Sequence, residues 1–212
     1  MSLTLAEAER ARLPTAPAAI LLSMPASDPT TEYVFAYGSL VRDLADGDEL
    51  TRHAAYLRDH RRAWNVAMDN SVSLPGYKYY LDLEDRSRPE VFVTFLNLVA
   101  APDHRVNGML VPVSAQELVE LDRRERNYAR REVSASIEPA TEGRVWSYFG
   151  KPEACQRFAA GLHAACTVVD ECYLARVRAG FEALSDDALA QFEQSTDPHG
   201  CRTLKLLRVE LG

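Results

Sequence analysis

Apolar and polar residues recur along this chain at two periods, and the shorter period gives way to the longer one in the last third. Tyr33-Val34-Phe35-Ala36-Tyr37 is an aromatic and β-branched run that predicts a strand, ended by Gly38-Ser39-Leu40. Further strands are predicted at Val91–Val99, Gly108–Val113, Arg131–Ile137 and Arg144–Phe149. In Arg131–Ile137 the residues Val133, Ala135 and Ile137 alternate onto one side. Asp48–Asp59 reads as a helix. Helices are then predicted from Pro152, a good first-turn residue, to about Cys166, from Asp170 to Leu184, and after Ser185 as N-cap. Asp197-Pro198-His199-Gly200 is a turn, and Thr203–Leu211 returns as a strand. Strands first, joined by short connections, and helices later predict an α+β domain: a curled mixed or closed β-sheet flanked by helices.

Residues 1–31 read differently. A short helical stretch over Leu3–Leu13 precedes a Pro/Ala/Ser/Thr-rich segment that buries little, so this part reads as a flexible or loosely docked leader. Residues 32–212 then form a single domain, which suits a chain of 212 residues. The net charge of −7 argues against nucleic acid or an anionic membrane as partner. No apolar run reaches the ~20 residues of a membrane span, and no signal-peptide core is present. The expected location is the cytoplasm, as monomer or homodimer. The 21 Arg against 3 Lys suggest a high-GC bacterial genome. Cys155, Cys166, Cys172 and Cys201 match no metal-ligand spacing, so structural or free thiols are expected and no metal.

Two segments carry candidate chemistry. Gly38-Ser39-Leu40 comes directly after a strand, where a glycine turn can bring backbone N–H groups against an anion or an oxyanion. The second is the run from Ser114 to Glu125. Ser114 and Glu117 form a capping box, which starts a helix at Ser114. At 100° per residue, Leu118, Leu121 and Glu125 share one face, while Glu120, Arg123 and Arg124 lie on the other. Glu120–Arg124 and Asp122–Arg126 have i,i+4 spacing suited to surface pairs. A carboxylate on an apolar face has a raised pKa and suits a general base or acid. Position alone leaves open a helix-end Glu that only reaches an Arg or a backbone N–H.

These residues resemble the γ-glutamyl cyclotransferase superfamily. Val34-Phe35-Ala36-Tyr37-Gly38-Ser39-Leu40 is similar to its signature loop. Asn107–Val113 with Leu121-Asp122-Arg123-Arg124-Glu125 is similar to the strand and helix that end at its catalytic glutamate. Tyr128 and Val145-Trp146-Ser147-Tyr148 resemble the family's next tyrosine and its later strand with a pocket tyrosine. The segment from Tyr173 to Gly180 resembles its C-terminal helical segment. Arg126 stands where the human-type enzyme has Gly, and Trp64–Arg88 has no counterpart in the pattern. The resemblance implies a cofactor-independent cyclisation of a small γ-glutamyl amide, releasing 5-oxoproline and a free amine or peptide. It implies Glu125 as the catalytic carboxylate and Tyr37, Gly38, Ser39, Leu40, Tyr128 and Tyr148 as substrate-binding residues. The alternatives are a hydrolase or acyltransferase that removes a γ-glutamyl group in specialised metabolism, and a non-catalytic binding module on the same fold.

Two basic clusters, Arg58, Arg61 and Arg62, and Arg123 to Arg131, read as solvated faces paired with nearby acids. Gly76-Tyr77-Lys78-Tyr79-Tyr80 reads as a substrate-side loop or a surface hairpin. The five histidines are scattered, and no nucleophile–base pair is recognisable.

Overall fold

The computed structural model describes residues 31–44 and 53–211. The leader, apart from Thr31, and the first half of the expected Asp48–Asp59 helix lie outside the described residues. The fold is α+β: a curled mixed sheet flanked by helices.

Its axis is a ribbon of two long antiparallel strands, β2 (His53–Asp69) and β4 (Phe92–Val113). At its C-terminal end β4 also pairs antiparallel with β1 (Glu32–Ala36), and at its N-terminal end it pairs parallel with β8 (Thr167–Asp170). β1 pairs parallel with β7 (Arg144–Gly150), which pairs antiparallel with β5 (Tyr128–Glu132). The short β6 (Ile137–Glu138) closes the other side of β2, and β9 (Arg202–Leu204) extends β8. A separate two-stranded sheet joins β3 (Lys78–Asp82) to β10 (Leu206–Glu210). The β2–β4 register shifts between Arg58 and His60 and between Trp64 and Val66, with Asp59 at φ 60°. Such bulges bend and twist a ribbon, and here they curl the sheet.

Elements with strong local signals form where the sequence places them. Ser114 caps α2 (Ala115–Arg124), its hydroxyl accepting from the Glu117 N–H at 3.2 Å while Glu117 Oε2 accepts from the Ser114 N–H at 2.7 Å. Pro152 opens α3 (Pro152–His163), which stops short of Cys166 because Ala165 takes φ 52°. Asp170 caps α4 (Glu171–Glu182) by accepting from the Cys172 and Tyr173 N–H groups. The last helix, α5 (Ala188–Gln194), starts later than expected, with Asp187 as N-cap.

Other expectations are corrected. From His53 onward the expected helix is strand β2. Its burial alternates through Ala55 and Leu57, and pairing with β4 outweighs the helix preference of an Ala-containing stretch. Val91–Val99 and Gly108–Val113 are one strand, bridged by an exposed Pro102–Arg105. Arg131–Ile137 is not a strand throughout. A 3-10 turn at Ser134–Ser136 leaves Ala135 exposed while Val133 and Ile137 stay buried. The C-terminal tail forms two strands in two different sheets. Among the described residues no helix is long and apolar enough to cross a membrane.

The largest correction concerns Arg62, which is fully buried rather than solvated. Its Nε donates to the Tyr37 carbonyl at 2.7 Å, Nη2 donates to the Asn107 carbonyl, and Nη1 donates to Ser195 Oγ at 2.6 Å. Its guanidinium carbon lies 4.8 Å from the ring centroids of both Phe181 and Phe192, themselves stacked at 4.7 Å. Burial pulls its pKa down to about 9, so it stays charged at neutral pH.

Replacing Arg62 with Leu strands two buried carbonyls, those of Tyr37 and Asn107. At ~1–3 kcal/mol for each unmade bond, the loss should be at least ~2 kcal/mol in denaturant unfolding. Arg62→Lys should recover only part of it, because an ammonium cannot span three acceptors held for a planar fork.

Candidate active site

β1 delivers the chain to Tyr37, and the backbone then turns through Gly38-Ser39. Val41 N–H donates to the Gly38 carbonyl at 3.0 Å, and the Arg42 and Asp43 N–H groups donate to the Ser39 carbonyl at 3.0 Å. This makes the single turn α1 (Leu40–Asp43). Gly38 does not adopt a left-handed φ. A Cβ there would sit in ordinary contact, 3.4 Å from the Tyr173 hydroxyl and 3.6 Å from Leu96 Cδ1. Tyr173 is carried by α4, which leans on α1 through Gly180, where a Cβ would meet Arg42 N at 3.0 Å.

Glu125 is the residue at which α2 ends. Its N–H still donates to the Leu121 carbonyl at 2.8 Å, but its φ of −89° and ψ of 46° leave the helix. The Leu118–Leu121 face is buried as expected, and the Glu125 side chain is only 17% exposed. Arg124, the last residue of α2, reaches it. Arg124 Nε lies 3.3 Å from Glu125 Oε1, and Arg124 Nη2 binds Asp43 Oδ2. Neither i,i+4 pair forms. Asp122 meets Arg130 at 3.4 Å and accepts from the Tyr148 hydroxyl at 3.0 Å, while Arg126 donates to the Pro75 carbonyl. Burial raises the Glu125 pKa. Arg124 and then Lys78 oppose the rise, and Asp43 adds to it.

The structure brings together every residue named from the sequence. Tyr37, Gly38, Ser39, Leu40, Glu125, Tyr128 and Tyr148 line one recess of about 30 Å³, with Leu96 and Tyr173. The three expected tyrosines spend their hydroxyl protons on the protein: Tyr37 on the Tyr148 carbonyl at 2.6 Å, Tyr128 on the Leu96 carbonyl at 2.7 Å, and Tyr148 on Asp122. Toward a ligand they offer ring faces and acceptor lone pairs.

The recess adjoins a larger cavity of about 270 Å³, which shares Ser39, Glu125, Tyr128 and Tyr173 with it. Sequence reasoning missed most of this cavity. Its far side is built by Lys78 and Tyr80 of β3 and by Leu206, Leu207 and Arg208 of β10. The aromatic run around Lys78 is therefore not a surface hairpin: it is a turn leading into strand β3 on the cavity side, with Tyr77 and Tyr80 buried. Lys78 Nζ lies 4.6 Å over the Phe95 ring, and burial together with Arg208 lowers its pKa to about 8. Alternation around Tyr77–Tyr80 was the available signal, but the partner strand is more than 120 residues away. Among the described residues, no group of three or more His, Cys, Asp and Glu is placed to hold a metal ion.

Residues 34–163 match the family model described as Gamma-glutamyl cyclotransferase, AIG2-like. No curated protein matches the chain. Among solved structures, a gamma-glutamyl cyclotransferase aligns at 13% identity and TM-score 0.48, covering 80% of this chain and 90% of that one. A yeast gamma-glutamyl cyclotransferase specific to glutathione aligns at 14% identity and TM-score 0.47, covering 78% and 97%. YkqA from Bacillus subtilis aligns at 14% identity and TM-score 0.48, with 77% of this chain spanning 53% of that one.

A raised carboxylate pKa has a stability consequence of fixed sign. The stabilisation it represents is present below the ordinary Glu value and is lost as pH rises through the higher folded value. Glu125→Gln, which carries no charge at any pH, should therefore gain in melting temperature relative to the parent protein as pH rises from 4 to 7. Thermal unfolding of both proteins across that range checks it.

Proposed function

The chain belongs to the gamma-glutamyl cyclotransferase, AIG2-like family, and from that premise we propose that it cyclises a γ-glutamyl amide, releasing 5-oxoproline and a free amine or peptide. The observation that carries this reading is the position of Glu125, a mostly buried carboxylate lining one recess with the Gly38-Ser39-Leu40 turn. The reaction needs a base beside the substrate's α-amine and hydrogen-bond donors beside its charged oxygens, and these two elements are adjacent here.

In this reading Glu125 takes a proton from the α-ammonium. The freed amine attacks the γ-carbonyl carbon, and a five-membered ring closes around a transient oxyanion. As the oxyanion collapses, the bond to the departing nitrogen breaks and Glu125 gives its proton to that nitrogen, while the ring nitrogen, which carries two hydrogens after attack, loses the surplus one, which ends on the released amine as its ammonium. Backbone N–H groups of the Gly38–Leu40 turn hold the α-carboxylate or the developing oxyanion. Nucleophile and electrophile share one molecule, so much of the barrier is met by orientation, worth roughly 7–11 kcal/mol in favourable cases. A base whose pKa is raised toward neutrality contributes about 10²–10⁴-fold more. Arg124, tied to Asp43 on its other side, keeps the carboxylate aimed without neutralising it.

Mass spectrometry of products from a panel of γ-glutamyl amino acids, peptides and amines tests the reading. The expected product is 5-oxoproline. Free glutamate would mean hydrolysis instead, and binding without turnover would mean a binding module. Glu125→Gln should lower kcat by about 10²-fold or more while folding normally. Full activity in that variant would remove Glu125 from the mechanism.

A further inference from the structure

The larger cavity is cationic, although the chain as a whole carries a net charge of −7. It is lined by five Lys and Arg residues against Glu125 and Asp170. Asp170 is already engaged with backbone N–H groups at the start of α4. Three of the five cations also have protein partners: Arg124 between Asp43 and Glu125, Arg176 3.8 Å from Asp43, and Arg126 on the Pro75 carbonyl. Lys78 has no such partner, and Arg208 has one but keeps an unmet donor. Among the described residues the Lys78 ammonium makes no hydrogen bond or ion pair; it rests over the Phe95 and Tyr77 rings. Arg208 binds Glu210 through Nη2, but its Nε–H is buried with no acceptor.

The two lie on one face of the small sheet. Lys78 is opposite Glu210 and Arg208 opposite Tyr80, so Lys78 and Arg208 are diagonal neighbours. Burial first and then the Arg208 charge hold the Lys78 pKa down at about 8, while Glu210, opposite Lys78 and paired with Arg208, partly opposes them. An anion between them would relieve both the repulsion and the unmade hydrogen bond. The wall they form lies in the larger cavity, outside the recess shared by Glu125 and the glycine turn.

We propose that Lys78 and Arg208 bind a carboxylate on the amine half of the substrate, so that the protein selects γ-glutamyl amides of amino acids or peptides with a free C-terminus over amides of neutral amines. The inference rests on the reading of the recess as the glutamyl end of the site. Both residues lie outside the recess: Lys78 falls within the family-matched residues 34–163, and Arg208 lies beyond them.

The test separates recognition from turnover by using ligands that lack the attacking amine. Glutaryl-alanine and glutaryl-alaninamide keep the carboxylate at the glutamyl end and differ only at the other end. Calorimetric titration of the full chain should show the acid binding about tenfold or more tighter than the amide. In Lys78→Met and Arg208→Met that ratio should fall toward one, with the affinity for the amide unchanged. Equal binding of the two ligands by the parent protein, or binding of neither, overturns the proposal without any variant being needed. Variants that weaken both ligands equally also overturn it, since the wall would then hold the glutamyl carboxylate. If the acid is preferred but γ-glutamyl-alanine yields no 5-oxoproline, the cyclisation reading fails and the recognition site stands.

Discussion

A single guanidinium, that of Arg62, ties the parts of this molecule that must not move relative to one another. It reaches the end of β1 at the Tyr37 carbonyl, the long strand β4 at Asn107 and the end of α5 at Ser195. Phe181 of α4 and Phe192 of α5 cover its faces. Burying a cation is costly unless its donors are met, and the carbonyls that meet them here are the ones exposed where regular strand pairing stops. The glycine turn starts one residue after Tyr37, so the position of that turn is set from beneath by a strand and from the side by two helices. Asn107 completes the arrangement: its Oδ1 accepts from Arg62 at 3.1 Å and its Nδ2 donates to the Ala188 carbonyl at 2.9 Å.

The second constraint is electrostatic. Glu125 is held where burial raises its pKa, yet Arg124 at 3.3 Å and the nearby Lys78 limit the rise. Arg124 is itself divided between two carboxylates, Asp43 and Glu125, which weakens its hold on either one. The outcome is a carboxyl group that is neither fully paired nor fully desolvated, the condition in which it can both accept and return a proton.

How much could be read from the sequence depends on how local each determinant is. The capping box at Ser114, Pro152 at the head of α3 and Asp170 at the head of α4 are decided within four residues, and all three appear as expected. The recess was legible because its expected residues fall in three short segments, 37–40, 125–128 and Tyr148, joined by the pairing of β1 with β4 and β7 and of β5 with β7. Arg62 was misread because its partners lie at 37, 107 and 195, and nothing near it in sequence marks a buried cation. Strand β2 was misread for the same reason, since its pairing with β4 is long-range. For the run around Lys78 the sequence left a substrate-side and a surface reading open, because the cavity it lines exists only once β10, the last strand of the described chain, pairs with β3.

The site thus has two origins along the chain. The recess that holds Glu125 draws almost wholly on residues 34–163, with Tyr173 as the exception. The larger cavity is completed by residues past that segment, from Asp170 to Arg208. A division of this kind separates the residues that place the carboxylate from those that line the far side of the cavity, with Lys78 and Arg208 bearing on the Glu125 charge rather than on its position. The position of the carboxylate relative to the glycine turn tolerates little change, because orientation supplies much of the rate. The two-stranded sheet of β3 and β10 takes no part in that placement. Exchange of side chains at Lys78 and Arg208 would alter which amine halves fit while leaving the α2–α1 contact between Arg124 and Asp43 untouched. The physical reason is separation: none of the hydrogen bonds that place Gly38 or Glu125 passes through β3 or β10.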